Sequence, residues 1–252
     1  SAAALAATAD AALVVFGELH LPAYHPPTLA RDPSTDIAAA ADGTVDDERL
    51  DPLRATARGR GVAILIGAAV RRAGRRFIAS LLIAPSGTVR DVYHKRHLCD
   101  AHERELFSPG DRATTLALDG WRLGLGICYD ATFPEHARAA ALAGCHAYVA
   151  AGAYVAGGEH RRDLYHRARA LDNTFYVVFA DEVGGEPPWT FGGGGAVYDP
   201  EGRPVARAGA DRPGIAVAAL DPKLLTETRA AHTMLADRCP GPGQRDTVEV
   251  RP

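Results

Sequence analysis

The stretch GLGICYDATFPE, residues 124–135, decides how the rest of the chain is interpreted. An apolar, strand-like run ends in it at Cys128, and a Pro-Glu pair typical of a helix start follows at Pro134. A cysteine at such a strand end is more often a core residue than a nucleophile. A free thiol, with a pKa near ~8.5, needs a base or a cation to react at neutral pH, so the role of Cys128 depends on its partners.

Two other predicted strand ends carry such partners. Glu18 in VVFGELHLP follows an apolar strand predicted at residues 11–16, and Lys95 in VYHKRHL ends another. Each alone is typical of an exposed loop, but together with Cys128 they suit acyl transfer from an amide. Glu18 would carry the thiol proton to the leaving amine, and Lys95 would stabilise the oxyanion. The backbone N–H of Tyr129 would be a second oxyanion donor.

The order of the predicted elements indicates an α/β fold with two sheets. An Ala-rich helix starts the chain, a helix lies within residues 46–58, and GVAILIGAAV, RRFIASLLIA and TVRDVYHK form a meander. Later elements are a strand at 121–127, helix at 134–143, strand at 146–150, helix at 159–172, strand at 174–180, hairpin at 195–198 and 204–207, and strand at 215–220. Two successive α-then-β units predict a four-layer α-β-β-α sandwich.

The predicted domain spans residues 1–225. Residues 226–252 have Pro and Gly punctuation and no clear period, so they form either an arm that packs on a partner subunit or a surface-bound tail.

Composition favours a small-molecule substrate. The 252 residues carry a formal net charge of -3 with a pI near 6.4, which indicates neither nucleic acid nor an anionic membrane as a partner. Apolar runs are too short for a membrane span and the start is unlike a signal peptide, so the predicted location is the cytoplasm. Arg161 and Arg162 either bind a substrate carboxylate or lie on a solvated helix face.

The remaining cysteines and the histidines suggest no metal site. Four scattered cysteines without CxxC pairs predict neither a disulfide framework nor a zinc site. Outside Cys128 they are interpreted as structural, and the histidines near Lys95 lack ligands at fixed spacing. The residues concerned are Cys99, Cys145, Cys239, His94, His97 and His102.

Three of these stretches resemble motifs of the carbon-nitrogen hydrolase (nitrilase) superfamily. They are VVFGELHLPAY, VYHKRHL and GICYDATFPE, in the expected order, and ERELFSPGD and FGGGGAVYDPEGRPVA extend the resemblance over nearly the whole chain. The resemblance implies the same sandwich and a Glu18–Lys95–Cys128 triad that acts through a thioester, without metal or organic cofactor. It also implies a homodimer or a higher homo-oligomer.

The resemblance assigns further residues. Glu103 matches a second glutamate that holds the lysine and positions substrate, and Tyr154, Glu182 and Trp189 match positions that line the acyl pocket. The CYD that starts at Cys128 resembles amidase branches more than true nitrilases.

The chain also departs from the family pattern in three places. Gly17 replaces a proline, which is expected to loosen the backbone, and Gly195 replaces a frequent serine. The family's first strand and most of its first helix normally precede Ser1, so the native protein is expected to have about thirty more N-terminal residues.

These observations predict a cofactor-free thiol amidohydrolase for a small amide or N-carbamoyl compound. The alternatives within the enzyme class are a nitrilase and an amide-forming acyltransferase. An alternative from another class is a catalytically idle binding or assembly module, against which the intact triad argues.

Overall fold

The computed structural model of the protein describes residues 10–239, 241, 243, 244 and 247. The start of the chain, where an Ala-rich helix is predicted, falls largely outside them, as does the end of the predicted tail. The helices described are α1 Pro26–Arg31, α2 Asp51–Arg60, α3 Ala101–Leu106, α4 Pro134–Leu142, α5 Glu159–Asn173 and α6 Pro222–Ala231, with 3-10 turns at Pro33–Thr35, Glu48–Leu50 and Cys128–Thr132.

The strands form two large sheets and one hairpin. They are β1 Leu13–Val15, β2 Ile37–Ala38, β3 Ala63–Arg72, β4 Arg75–Ile83, β5 Val89–His94, β6 Thr115–Leu118, β7 Trp121–Ile127, β8 Ala147–Gly152, β9 Tyr176–Asp181, β10 Val183–Glu186, β11 Trp189–Gly192, β12 Ala196–Tyr198 and β13 Pro204–Arg207. The first sheet has the order β1-β3-β4-β5 with β2 also on β3, and the second has the order β13-β12-β9-β8-β7-β6. Strands β10 and β11 pair with each other, and Phe191 of β11 forms an antiparallel bridge with Val155.

Alternation along β3 explains how the first sheet is buried on both faces. Ile64 and Ile66 pack in one apolar cluster with Ala57 of α2, whereas Leu65 packs in the cluster that includes the second sheet. Successive side chains of a strand point to opposite faces, so one face of β3 meets a helix and the other meets a sheet.

The second sheet is covered by helices on its far side. Ala137 of α4 and Ala170 of α5 are fully buried in the same cluster as Val149 of β8. The parallel pairing of β7, β8 and β9 requires such helical crossovers. The predicted α-β-β-α sandwich is therefore confirmed.

One expectation about the C-terminal part needs correction. Residues 215–220 form no strand, because no strand within the described residues pairs with them, and Val217 remains 60% exposed. Helix α6 crosses the expected boundary after residue 225, starting at the Asp221 cap and burying Leu225. Its Arg229 donates hydrogen bonds to Thr174 O at 3.0 Å and to Cys145 O at 2.7 Å, so this helix packs on the domain.

The helices give no sign of a membrane segment. Across the described residues, none is both long and apolar enough to cross a bilayer.

Candidate active site

Glu18 lies where the chain passes from the first sheet to the second. After β1, Phe16 N–H donates to Leu65 O of β3 at 2.9 Å, and Glu18 N–H donates to Gly152 O of β8 at 3.1 Å. Gly67 permits this crossing, since a Cβ there would lie 2.2 Å from Gly17 O. The Glu18 carboxyl is thereby fully buried between the two sheets.

Gly17 is needed for space, which corrects the expectation that it only loosens the backbone. A Cβ at this position would lie 2.3 Å from Glu182 Oε1 and 2.9 Å from Gly152 O. Any other residue would therefore displace the Glu182 side chain or the end of β8. At Gly195, a Cβ would lie 3.0 Å from Phe179 O, which is a tight but smaller conflict.

Lys95 directly follows β5 and is fully buried. Its N–H donates to Ile78 O at 2.8 Å, which continues the pairing of β5 with β4 past the end of the strand. Its Nζ lies 2.7 Å from Glu18 Oε1 and 2.7 Å from Glu103 Oε1. The lysine is thus held between two buried carboxylates.

Glu103 lies in the first turn of α3, where the local sequence orients it. The helix is capped by Asp100, whose Oδ1 accepts from Glu103 N–H at 2.9 Å. Glu103 Oε2 accepts from Cys99 N–H at 2.7 Å, and Tyr24 OH donates to Oε1 at 2.7 Å. With the Lys95 contact, these bonds fix both oxygens of the carboxylate.

Cys128 occupies a strained turn between β7 and the 3-10 turn that follows it. Its φ of 45° lies in the left-handed region, which non-glycine residues seldom adopt and which is often found at functional sites. The residue is 8% exposed. This strand-to-turn geometry resembles the sharp turns that present nucleophiles in α/β-hydrolases.

The electrostatics of the cluster favour a neutral thiol beside a proton acceptor. Burial raises the pKa of the Cys128 thiol well above its usual value; Glu18 raises it further and Lys95 opposes the rise. Burial also raises the pKa of Glu18 to about 7, although Lys95 and the Cys128 thiol both lower it. Desolvation lowers the pKa of Lys95, but Glu18, Cys128 and Glu103 outweigh it and keep the ammonium charged.

One oxygen of Glu18 is available for proton transfer. Oε1 receives the Lys95 hydrogen bond, whereas Oε2 is buried and accepts no hydrogen bond from the described residues. The Cys128 thiol is close enough to influence the pKa of this carboxyl. A carboxyl with one uncommitted oxygen and a pKa near neutrality is suited to accept and return a proton.

Tyr154 and Tyr129 both adjoin Cys128. Tyr154 OH donates to Cys128 O at 3.0 Å, and Tyr154 N–H donates to Asp181 Oδ1 at 3.0 Å, so the side chain of Tyr154 contacts the backbone of Cys128. Tyr129 follows Cys128 in the 3-10 turn, with its ring 5.0 Å from that of Phe133.

Glu182 and Trp189 lie in a cavity beside this cluster. The cavity has a volume of about 300 Å³, and Glu182 Oε1 lies 2.8 Å from His20 Nδ1. Its wall is formed by the loop after β1 and by the β10–β11 hairpin, which the sequence did not predict. The lining residues are Ala23, Tyr24, His25, Glu182, Val183, Gly185, Glu186, Trp189 and Phe191.

Arg162 has neither of the positions expected for it. It is 3% exposed, and its guanidinium contacts Asp163, Asp181 and the Gly193 carbonyl. Because these groups occupy it, Arg162 binds the hairpin to the sheet, while Arg161 beside it is exposed.

Sequence reasoning missed a buried polar network around Asp130. Its carboxylate accepts from Ile127 N–H at 3.0 Å, His97 N–H at 2.9 Å and Tyr93 OH at 2.7 Å, and it lies 2.7 Å from His97 Nδ1. Tyr93 OH also lies 2.9 Å from His136 Nε2. The sequence feature that could have indicated this network is Asp130 itself, the acid of the CYD stretch, two residues after Cys128.

The other cysteines lie apart from the turn at Cys128. Cys145 is buried just before β8 with its Sγ 3.4 Å from Thr115 Oγ1, and Cys239 is exposed. Cys99 adjoins the cluster through its N–H bond to Glu103. Within the part of the chain that the structure describes, no three His, Cys, Asp or Glu side chains are grouped as metal ligands.

Comparisons with known proteins place this architecture in one class of enzymes. The family model for carbon-nitrogen hydrolases matches residues 1–230. An (R)-stereoselective amidase from Pseudomonas sp is 34% identical over 232 residues, covering 91% of this chain and 80% of that protein. The chain therefore belongs to the carbon-nitrogen hydrolase family, and the resemblance predicted from its three motifs is confirmed.

Solved structures agree with this assignment. Saccharomyces cerevisiae Nit3, a member of branch 10 of the nitrilase superfamily, matches with a TM-score of 0.79 and 26% identity over 91% of this chain and 84% of that one. An amidase from Nesterenkonia sp. AN1, with acrylamide added to its active-site cysteine, matches with a TM-score of 0.74 and 29% identity over 91% and 88%. The protein is a hydrolase of carbon–nitrogen bonds other than peptide bonds.

Proposed function

We propose that the chain is a thiol amidohydrolase that hydrolyses a small amide or N-carbamoyl compound through a thioester on Cys128. The observation that carries the proposal is the buried Lys95, whose Nζ lies 2.7 Å from both Glu18 and Glu103 within electrostatic reach of Cys128. An acid, a cation and a thiol in one buried cluster supply the three functions that acyl transfer needs. The amidase names of its relatives support an amide as substrate.

The first step forms the tetrahedral intermediate that precedes the thioester. Glu18 accepts the proton of the Cys128 thiol, and the thiolate attacks the amide carbonyl carbon while the carbonyl electron pair moves to oxygen. The Lys95 ammonium and the Tyr129 backbone N–H stabilise this oxyanion. Because the pKa of Glu18 is near 7, the carboxyl can both take and release this proton at neutral pH.

The second step expels the leaving group, and water completes the turnover. As the tetrahedral intermediate collapses, the carbon–nitrogen bond breaks and protonated Glu18 gives its proton to the nitrogen, which leaves as ammonia or an amine. Water then attacks the thioester with Glu18 as the base. The carbon–sulfur bond then breaks, protonated Glu18 returns its proton to the sulfur, and the acyl group leaves as a carboxylic acid that ionises to the carboxylate.

Glu103 acts on this chemistry through Lys95. Its carboxylate is fixed by Tyr24 and by the Cys99 amide, so it holds the ammonium at one position. An ammonium fixed in this way can meet the developing oxyanion without rearrangement.

Release of ammonia from a panel of small amides, N-carbamoyl amino acids and nitriles tests the proposal. Cys128→Ala should abolish turnover, whereas Cys145→Ala, which removes another buried thiol away from the cluster, should retain it. Hydroxylamine should convert the acyl group of the thioester into a hydroxamic acid. Retained turnover in Cys128→Ala would refute the proposal, and a new amide without free carboxylate would identify an acyltransferase instead.

We further propose a homodimer or higher homo-oligomer in the cytoplasm. Leu142, Leu164 and Leu171 on α4 and α5 are 50%, 60% and 46% exposed, which supports a contact between copies of the chain. The cysteines at 99, 128, 145 and 239 are all free, as expected in a reducing compartment. Sedimentation equilibrium should give a mass above that of one chain, and Leu164→Glu should reduce it; a monomer at micromolar concentration would contradict the proposal.

A further inference from the structure

The cavity beside the cluster shares a wall with the residues that hold Lys95. Tyr24 lines the cavity, and its OH donates at 2.7 Å to Glu103 Oε1, the same oxygen that lies 2.7 Å from Lys95 Nζ. Glu182, another lining residue, faces Gly17, directly before Glu18. A molecule in the cavity therefore lies next to the proposed reaction centre, where the non-reacting part of a substrate would extend.

The charge of this cavity is negative. Glu182 and Glu186 both line it, and none of the lining residues that the structure describes is a lysine or an arginine. The polar contact of His20 is to Oε1 of Glu182, so it does not pair with the charge of Glu186. His25, which also lines the cavity, has its Nδ1 2.7 Å from Thr28 Oγ1 and 3.3 Å from Thr28 N, so this nitrogen is engaged within its own loop.

The cavity is also aromatic. Tyr24, Trp189 and Phe191 line it, and the Tyr24 and Phe191 rings pack edge-on with centroids 5.4 Å apart. Aromatic rings attract cations over their faces and accept the apolar part of an alkyl chain. The nearby Arg162, which could have attracted an anion, is occupied by Asp163, Asp181 and the Gly193 carbonyl.

From these features we infer that the preferred substrate is an amide whose acyl chain carries a positively charged amine at its far end. This inference rests on the proposed function, because it places the amide group at Cys128 and the ammonium between Glu182, Glu186 and the aromatic wall. A neutral acyl chain of the same length would fill the cavity without the electrostatic attraction. A terminal carboxylate would be repelled by the two glutamates.

Three amides of matched chain length test the inference: 5-aminopentanamide, hexanamide and the monoamide of adipic acid. We expect kcat/KM to be about tenfold higher for the cationic amide than for hexanamide, the size of effect that one partly exposed ion pair and one cation–π contact supply together. The anionic amide should be the poorest substrate. Raising the ionic strength should reduce the preference, since the cavity is open to solvent.

Two isosteric variants test whether the preference for the cationic amide comes from Glu186. Glu186→Gln should lower the ratio of kcat/KM for the cationic over the neutral amide by about threefold. Glu48→Gln removes the same charge from an exposed position in the 3-10 turn Glu48–Leu50, away from the cavity, and should leave both activities and their ratio unchanged.

A binding measurement separates failure of this inference from failure of the proposed function. Calorimetric titration of the Cys128→Ala variant with 5-aminopentanamide and hexanamide reports on the cavity without turnover, and the cationic amide should bind about tenfold more tightly. Hydrolysis of hexanamide with no preference for the cation would overturn this inference and leave the proposed function standing. Absence of turnover with a retained binding preference would overturn the proposed function and leave this inference standing. Equal affinities for the two amides would overturn the inference.

Discussion

Glu18 and Asp130 are two fully buried carboxylates near Cys128, and their pKa values are shifted in opposite directions. Burial raises the pKa of Glu18 to about 7, because the Lys95 charge and the nearby Cys128 thiol only partly offset desolvation. Burial also acts to raise the pKa of Asp130, but the His97 hydrogen bond, the neighbouring His136 and hydrogen bonds from Tyr93 and the Ile127 N–H outweigh it, and the net pKa is lowered. The difference teaches that the number of donors around a buried acid decides whether it can exchange a proton.

The two acids therefore have different tasks at the same turn. Asp130 binds the backbone and ring of His97, two residues after Lys95, and also the N–H of Ile127, directly before Cys128. It thereby joins the segment that carries the lysine to the turn that carries the thiol. Glu18 keeps one oxygen free of such bonds and is the acid suited to move protons.

The sharpest test of this contrast is Glu18→Gln. The amide has nearly the same shape but cannot accept the thiol proton, so kcat should fall by about 10³-fold, within the range typical of lost general base catalysis. Steady-state kinetics on the best amide, with circular dichroism to confirm the fold, measure the effect. A variant that keeps a tenth of the wild-type kcat would show that Glu18 is not the base.

The pH dependence of kcat/KM reports the titration of Glu18. The base form is required, so activity should fall as the pH drops through about 7, by about tenfold for each further pH unit. An unshifted glutamate would place this loss near its ordinary pKa of 4.5. The residual activity of Glu18→Gln should lack this limb, and a wild-type midpoint close to 4.5 would contradict the assignment.

Asp130→Asn tests the structural side of the contrast. One carboxylate oxygen that accepts hydrogen bonds would become an NH2 group, which would face a donor such as a backbone N–H or the Tyr93 hydroxyl. This mismatch should lower the free energy of unfolding by about 1–3 kcal/mol. We expect kcat to fall by about tenfold as the Cys128 turn loosens, with the acid midpoint of kcat/KM unchanged. Urea unfolding and the pH profile measure the two effects, and a shifted midpoint would show that Asp130 takes part in proton transfer.

The pH dependence of that stability loss follows from the direction of the Asp130 shift. A carboxyl whose pKa is lowered on folding stabilises the native state above its ordinary pKa of 3.8 and loses this contribution as the pH falls through the folded-state value. The difference in the free energy of unfolding between wild type and Asp130→Asn should therefore be largest at neutral pH and decrease only below about pH 4.

Tyr24→Phe should have the smallest effect. It removes one hydrogen bond to Glu103, whose carboxylate still contacts Lys95 and the Cys99 amide. One such bond contributes about 1 kcal/mol, so kcat should fall by about fivefold. Steady-state kinetics with one amide suffice; a loss as large as that of Glu18→Gln would mean that Tyr24 itself contacts the reacting atoms.

The part of the site that the sequence predicted lies at strand ends. Glu18, Lys95 and Cys128 each follow an apolar run, and such runs are recognisable because both sheets are buried. The structure brings Glu18 and Lys95 into contact and places Cys128 within electrostatic reach of both. Their chemical roles remain predictions until the variants are measured.

The parts that the sequence did not predict depend on tertiary contacts. The β10–β11 hairpin has only four residues in each strand, with glycines in both, so its pattern is too weak to recognise. Arg162 is typical of a solvated helix face until the acids that surround it are known. The network of Asp130 joins residues 33 and 37 positions away, which no local pattern reveals.

The Lys95–Glu18 contact also bears on how the enzyme gains activity during folding. The two residues are separated by 77 positions, and Glu18 reaches its place only where β1 of the first sheet meets β8 of the second. Contacts of such long range form late, after local helices and hairpins. Recovery of activity on refolding should therefore lag behind the recovery of secondary structure, and it reports the docking of the two sheets.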